Sequence, residues 1–104
     1  MNTSCIEACQ KCAVDCERCL HIMIGEELRL NSDCPRCCRD CLDICLHCAL
    51  ALARDSHLAV RLCEFCADVC EWCAEECEMH DHVQCQLCAE SCRACAELCR
   101  EMAI

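Results

Sequence analysis

Cysteine recurs through this chain at alternating steps of four and three residues, and the pattern is written four times. In CIEACQKCAVDCERC, residues 5–19, the steps from Cys5 through Cys9, Cys12 and Cys16 to Cys19 are 4, 3, 4, 3. Cys34, Cys38, Cys41, Cys45 and Cys48 repeat that order. Cys63, Cys66, Cys70, Cys73 and Cys77 run 3, 4, 3, 4, and so do Cys85, Cys88, Cys92, Cys95 and Cys99. This is the a/d spacing of a helix that buries one face, not the two-residue alternation of a strand. Each seam is about 21 Å long at 1.5 Å per residue. Of the 21 cysteines only Cys37 stands off a seam.

The breaks between seams are short and polar. Ser4 to Glu7, SCIE, has the form of a capping box before the first helix. Gly25, the one glycine, falls at that helix's end, and NSDCP at 31–35 offers caps and an early-turn proline for the second. RDSH at 54–57 offers Asp55 or Ser56 as the third cap, and MHDH at 79–82 offers Asp81 as the fourth. One glycine, one proline and 2% aromatic residues agree with helices throughout. Short connections make sequential helices antiparallel neighbours. The expected fold is all-α, an up-down-up-down four-helix bundle formed by one domain over residues 1–104 with a cysteine-lined core.

Ordinary apolar side chains are too few to fill that core, because the 57% hydrophobic content counts cysteine. Beside the seams lie Ile6, Ala13, Leu20, Ile44, Ala49, Ala67, Ala74, Ala89 and Ala96, expected to complete the packing between helices. Glu7, Lys11, Arg18, Glu71, Glu78, Glu90 and Arg93 read as solvated faces, and Trp72 as packing beside the seam. Leu42, Leu46, Leu50 and Ala53 give the second helix an additional apolar stripe, expected to contact another subunit.

Three roles compete for the thiols. A buried free cysteine packs as a small hydrophobe, but aliphatic residues would fill an interior better and without oxidation. Disulfides would require an oxidising compartment. MNTSCIEACQ has neither a basic start nor an apolar stretch, so no export signal is read and the expected location is the cytoplasm. The third role is metal, since thiolates select soft ions. Iron–sulfur ligands sit on loops rather than on uninterrupted helices. A Zn(II) ion held by four thiolates carries a charge of -2, and stacked sites of that kind would bury several such charges with no Lys or Arg on a seam to offset them. Cu(I) with about one thiolate per ion leaves the interior nearly neutral and supplies the missing volume. A Zn(II)/Cd(II) buffer of metallothionein type remains the alternative. A thiol-redox protein is a weaker one, because no CxxC is set apart from the rest. The net charge of -10 disfavours nucleic acid and anionic membrane surfaces, and neither is expected as a partner.

Extending each seam by one step distinguishes the two ends. Met23 and His80 finish one end, near the starts of the second and fourth helices, whereas Leu52, Ala59 and Met102 finish the other. Met23 reads equally as a plug or a ligand. His80 is a candidate ligand, and His82 a second one at the start of the last helix. His21 points outward; His47 and His57 are structural or surface residues, and Met102 is packing. Ions are expected to pass through the Met–His end.

The cysteine runs CIEACQKCAVDCERC, CRDCLDICLHCALALARDS and CEFCADVCEWCAEECEMHDHVQCQLCAESCRACAELCREM resemble those of the bacterial copper storage proteins over nearly the whole chain. The resemblance implies a four-helix bundle holding many Cu(I) ions, assembled as a homotetramer, of the cytosolic type, with storage rather than catalysis as its task. It carries the ligand role to the seam cysteines. The full candidate set is therefore the twenty seam thiols, Cys37, whose position beside Cys38 makes it peripheral, and Met23, His80 and His82.

Overall fold

The computed structural model describes residues 2–27 and 32–103. Four helices occur in the expected places: α1 Thr3–Gly25, α2 Cys34–Ala53, α3 Ala59–Glu78 and α4 Val83–Met102. Each packs against its sequence neighbours, and α1 closes the ring on α4. The result is an antiparallel bundle 40 Å long and 19 Å across. The C-termini of α1 and α3 lie at one end with the N-termini of α2 and α4.

The seams form the core. Every cysteine is buried, and the most exposed, Cys5 and Cys85, reach only 3%. Ala13, Ala49, Ala67, Ala74, Ala89 and Ala96 are buried beside them, while Ile6, Leu20 and Ile44 pack on the margin. Small flanking residues let the helices approach closely enough for sulfurs on different helices to touch. Leu42 corrects the reading of the α2 stripe: it is 5% exposed inside this bundle, and only Leu46, Leu50 and Ala53 remain outside. Trp72 is on the surface rather than packed away, forming an outer groove with Ile44, Phe65 and Val69.

The caps differ from the sequence expectation. Asn2 precedes α1, so Ser4 lies within the first turn and SCIE is not a capping box. Asp33 precedes α2 without a side-chain cap, and Pro35 occupies the early turn as expected; Asn31 lies outside the described residues. Leu58 precedes α3, while the Ser56 hydroxyl accepts from the Leu58 N–H at 3.1 Å, two residues too early to cap. His82, not Asp81, caps α4: its Nδ1 accepts the Gln84 N–H at 3.0 Å. The imidazole takes the place that a short carboxylate commonly fills because it sits at the position with extended backbone, φ -59° and ψ 135°.

Polar ties between helices are unevenly distributed. Asp15 on α1 is 6% exposed and accepts from the Ser91 hydroxyl of α4. Lys11 Nζ donates to Asp15 at 2.8 Å and to Ser91 at 2.9 Å, so the buried carboxylate is both paired and hydrogen-bonded. Arg93 forms a two-pronged pair with Glu78, and Arg100 pairs with Asp68 and Glu71, joining α4 to α3. These exposed pairs are screened by solvent and contribute little to stability. The buried clamp is worth more, because removing one partner leaves a desolvated polar group at a cost of about 1–3 kcal/mol.

Candidate metal-storage tube

Each helix contributes one sulfur to each of five layers. Nearest the Met–His end, Cys19 meets Cys85 and Cys34 meets Cys77, both at 3.6 Å. The second layer is Cys16, Cys38, Cys73 and Cys88, whose sulfurs all lie within 4.8 Å of one another. In the third, Cys12 and Cys41 are 3.7 Å apart, Cys12 and Cys92 3.6 Å, and Cys41 and Cys70 3.6 Å. The fourth holds Cys9, Cys45, Cys66 and Cys95, with Cys45–Cys66 at 3.8 Å and Cys9–Cys95 at 3.7 Å. The fifth pairs Cys5 with Cys99 at 3.7 Å and Cys48 with Cys63 at 3.6 Å.

The layers are not separate compartments. Cys38 reaches Cys77 at 3.8 Å, Cys41 reaches Cys45 at 3.9 Å and Cys66 reaches Cys70 at 3.9 Å. Quartets such as Cys12, Cys45, Cys70, Cys95 and Cys9, Cys66, Cys95, Cys99 draw on two adjacent layers. A sulfur therefore has partners above and below as well as beside it, the arrangement needed for one thiolate to bridge two ions. All the cysteines are free thiols.

Cys37 is fully buried, but its Sγ donates to the Cys34 carbonyl at 3.1 Å and lies 4.0 Å from the Cys73 carbonyl. The thiols of Cys34, Cys38, Cys73 and Cys77 surround it, so it borders the first two layers from its off-seam position.

Both candidate ligands at the end are covered. Met23 is fully buried and His80 is 6% exposed. Neither ring nitrogen of His80 has a hydrogen-bond partner. A buried, unpartnered imidazole is costly unless it receives a ligand or water, so its chemistry fits a metal. His82 is different. With Nδ1 accepting the Gln84 N–H, the neutral ring carries its proton on Nε2, which lies 3.9 Å from a Glu26 oxygen. Metal ligation by His82 would displace either the cap or that proton. Leu52 and Ala59 are buried at the opposite end, with Met102 packed against the core, as expected.

The thiols oppose one another electrostatically. Hydrogen bonding with Cys9 and then Cys99 brings Cys5 down to about 4, against the effect of burial. Cys9 is pushed up by the reciprocal contacts with Cys48, Cys5 and Cys66. Cys85 is raised chiefly by burial. A thiolate is thus stabilised by S–H donors that themselves become harder to ionise, so the tube cannot become fully ionised by itself. A cation that replaces the protons removes this conflict.

Sulfur spacing alone does not select the ion: tetrahedral zinc with Zn–S of about 2.3 Å has an S···S edge of about 3.8 Å. Charge does. The buried polar residues among those described are Asp15, His80 and Ser91, with no Lys or Arg in the interior. Monovalent ions matched roughly one to one with thiolates keep the interior near neutrality, whereas four thiolates per divalent ion do not.

Fold and site together define a four-helix bundle whose hydrophobic core has been replaced by a metal-binding thiol lattice. The chain belongs to the Csp family, described as copper storage protein, which matches it over residues 1–104. It is 44% identical over 103 residues to the uncharacterized cysteine-rich protein YhjQ of Bacillus subtilis (strain 168), covering 98% of this chain and 95% of that protein. Its fold is similar to the Cu(I)-bound copper storage protein BsCsp3, with a TM-score of 0.95 and 42% identity over 99% of this chain and 98% of the other. The apo form of Csp3 from Bacillus subtilis superposes with a TM-score of 0.90, 42% identity and full coverage of both chains.

Sequence spacing marked the four buried cysteine faces but not the Asp15–Ser91 clamp. The visible signal was Lys11 and Asp15 at i, i+4; nothing local to Ser91 announced that it faces α1.

Proposed function

We propose that this protein stores and sequesters Cu(I), many ions per chain, on the thiolates of its five layers. The observation that carries this is a continuous column of buried sulfur with no cationic side chain in it. Copper replaces the thiol protons in a core built of touching sulfurs, and enclosure keeps the ion away from oxidants. Met23 and His80 act as neutral ligands at the mouth, exchanging ions more readily than thiolate does. Cys37 is an auxiliary ligand, and His82 becomes one only when its cap is released.

The reading extends to a cytosolic homotetramer. Leu46 and Leu50 are 45% and 60% exposed on α2, and Phe65 and Trp72 are exposed across the neighbouring groove, which gives subunits an apolar surface to share. No helix among the described residues is long and apolar enough to cross a membrane.

Zinc competition tests the assignment. The reduced protein, exposed anaerobically to equal Cu(I) and Zn(II) under matched chelator buffering, is expected to retain copper and exclude zinc. Equal affinity, with zinc saturating near five ions per chain by about four thiolates each, would establish the metallothionein-like buffer instead.

A further inference from the structure

The first two turns of α2, residues 34–41, are held to the bundle differently from every other segment at the mouth. The sequence there is CPRCCRDC, four cysteines in eight residues. Those four are its only buried residues; Arg36, Arg39 and Asp40 are exposed, and the first buried aliphatic side chain is Leu42. Asp33 gives no side-chain cap; the Ser32 hydroxyl accepts the Cys34 N–H at 3.3 Å, a bond that is local to α2 and ties it to no other helix. The two ion pairs, Arg36–Asp33 and Arg39–Asp43, stay within α2 and its cap. Among the described residues, every hydrogen bond from this segment to another helix involves sulfur, such as Cys34–Cys77 at 3.6 Å and Cys38–Cys88 at 4.0 Å. An open groove of about 410 Å³, lined by Leu20, Pro35, Arg36, Arg39 and Asp40, runs beside it.

α4 begins at the same end and supplies the contrast. It is capped by His82, Gln84 donates to the Asp15 carbonyl, Gln86 donates to the His80 carbonyl, Ala89 is buried, and Ser91 enters the Asp15 clamp. Sulfur–sulfur contacts of neutral thiols are weak ties compared with these. A Cu(I) ion shared between Cys34 and Cys77, or between Cys38 and Cys88, exchanges each such contact for two metal–sulfur bonds while the thiol protons leave to solvent.

We propose that residues 34–41 form a lid over the Met–His end, loose in the empty protein and closed by the copper it covers, with the buried Leu42 as the first aliphatic anchor beyond it. This inference rests on the copper-storage reading. It assigns a purpose to the otherwise surplus Cys37, which adds a thiol to the lid. Filling would then be self-limiting: the last ions to enter the mouth layers fasten the segment across the route by which they came, and loss of those ions reopens it.

Hydrogen exchange with mass spectrometry on the whole reduced protein, empty and copper-filled, tests this. Amides 38–41 and 87–90 occupy equivalent positions, past the unbonded first turn of α2 and α4. In the empty protein the α2 set is expected to exchange at least about tenfold faster, and filling should abolish the difference. Equal protection in the empty protein overturns the lid, as does a difference that persists after filling. Arg39→Leu, which covers the apolar part of the groove, should slow exchange at 38–41 and slow chelator-driven copper removal at unchanged capacity; slowed exchange with unaltered removal takes the lid off the path. A low copper count on these samples counts against storage itself, since the exchange pattern of the empty protein needs no metal.

Discussion

Replacing Cys12, Cys41, Cys70 and Cys92 by alanine is expected to lower copper capacity from about twenty ions to about sixteen, at roughly one ion per thiolate, and to turn single-phase loading into two phases. These four form the central layer. They carry the contacts that join the halves of the tube, including Cys41–Cys45 at 3.9 Å and Cys45–Cys70 at 3.7 Å. Without them the two layers next to Met23 and His80 fill from the mouth, while the two beyond must receive ions across a sulfur-free gap. Stopped-flow loading with total copper analysis reads both effects, and far-UV circular dichroism confirms that the helices persist. Undiminished capacity, or one unbroken phase, would mean that ions do not travel along the layers.

Changing Met23 and His80 together to leucine should slow both loading and chelator-driven removal by about tenfold or more, corresponding to at least about 1.4 kcal/mol on the barrier, with nearly the same final copper content. The two side chains are buried at the end of the column, and His80 has no competing hydrogen bond at either nitrogen. Neutral thioether and imidazole hand an ion on without holding it as firmly as thiolate. The opposite end offers Leu52 and Ala59, which have no ligand atoms. Met102 supplies a sulfur there, so its replacement by leucine is the control: slowed exchange in that variant and ordinary rates in the double mutant would reverse the direction of traffic.

The helices and their buried faces were legible because one residue type marks one helical face. Alternation of three and four fixes which side of α1 carries Cys5 to Cys19, and four such faces of equal length can be satisfied only by one another. Which sulfurs share a layer is read from the contacts between helices, not from the spacing along any one of them. Capping was less legible. Ser4, Ser56 and Asp81 are good caps by composition, yet the helices begin around Asn2, Leu58 and His82, because packing of the buried seam sets where each helix starts. The Asp15–Ser91 bond joins residues 76 apart, and no local pattern signals a partner at that separation. Leu42 was assigned to the outer stripe because it shares helical spacing with Leu46 and Leu50; one residue past Cys41 and three before Cys45, it borders the buried seam and is covered. His82 shows how a metal-ligand residue type can be committed to the backbone instead, through a single N–H of Gln84.

The claim that the buried sulfur column is a store for copper is tested most directly by counting the ions. Fully reduced protein, titrated anaerobically with Cu(I) against a competing chelator, should bind about one ion per seam thiol, near twenty per chain, and stay helical from the empty to the filled state. Saturation below about ten ions would contradict the account, because at least half of the buried sulfur would then have some other purpose.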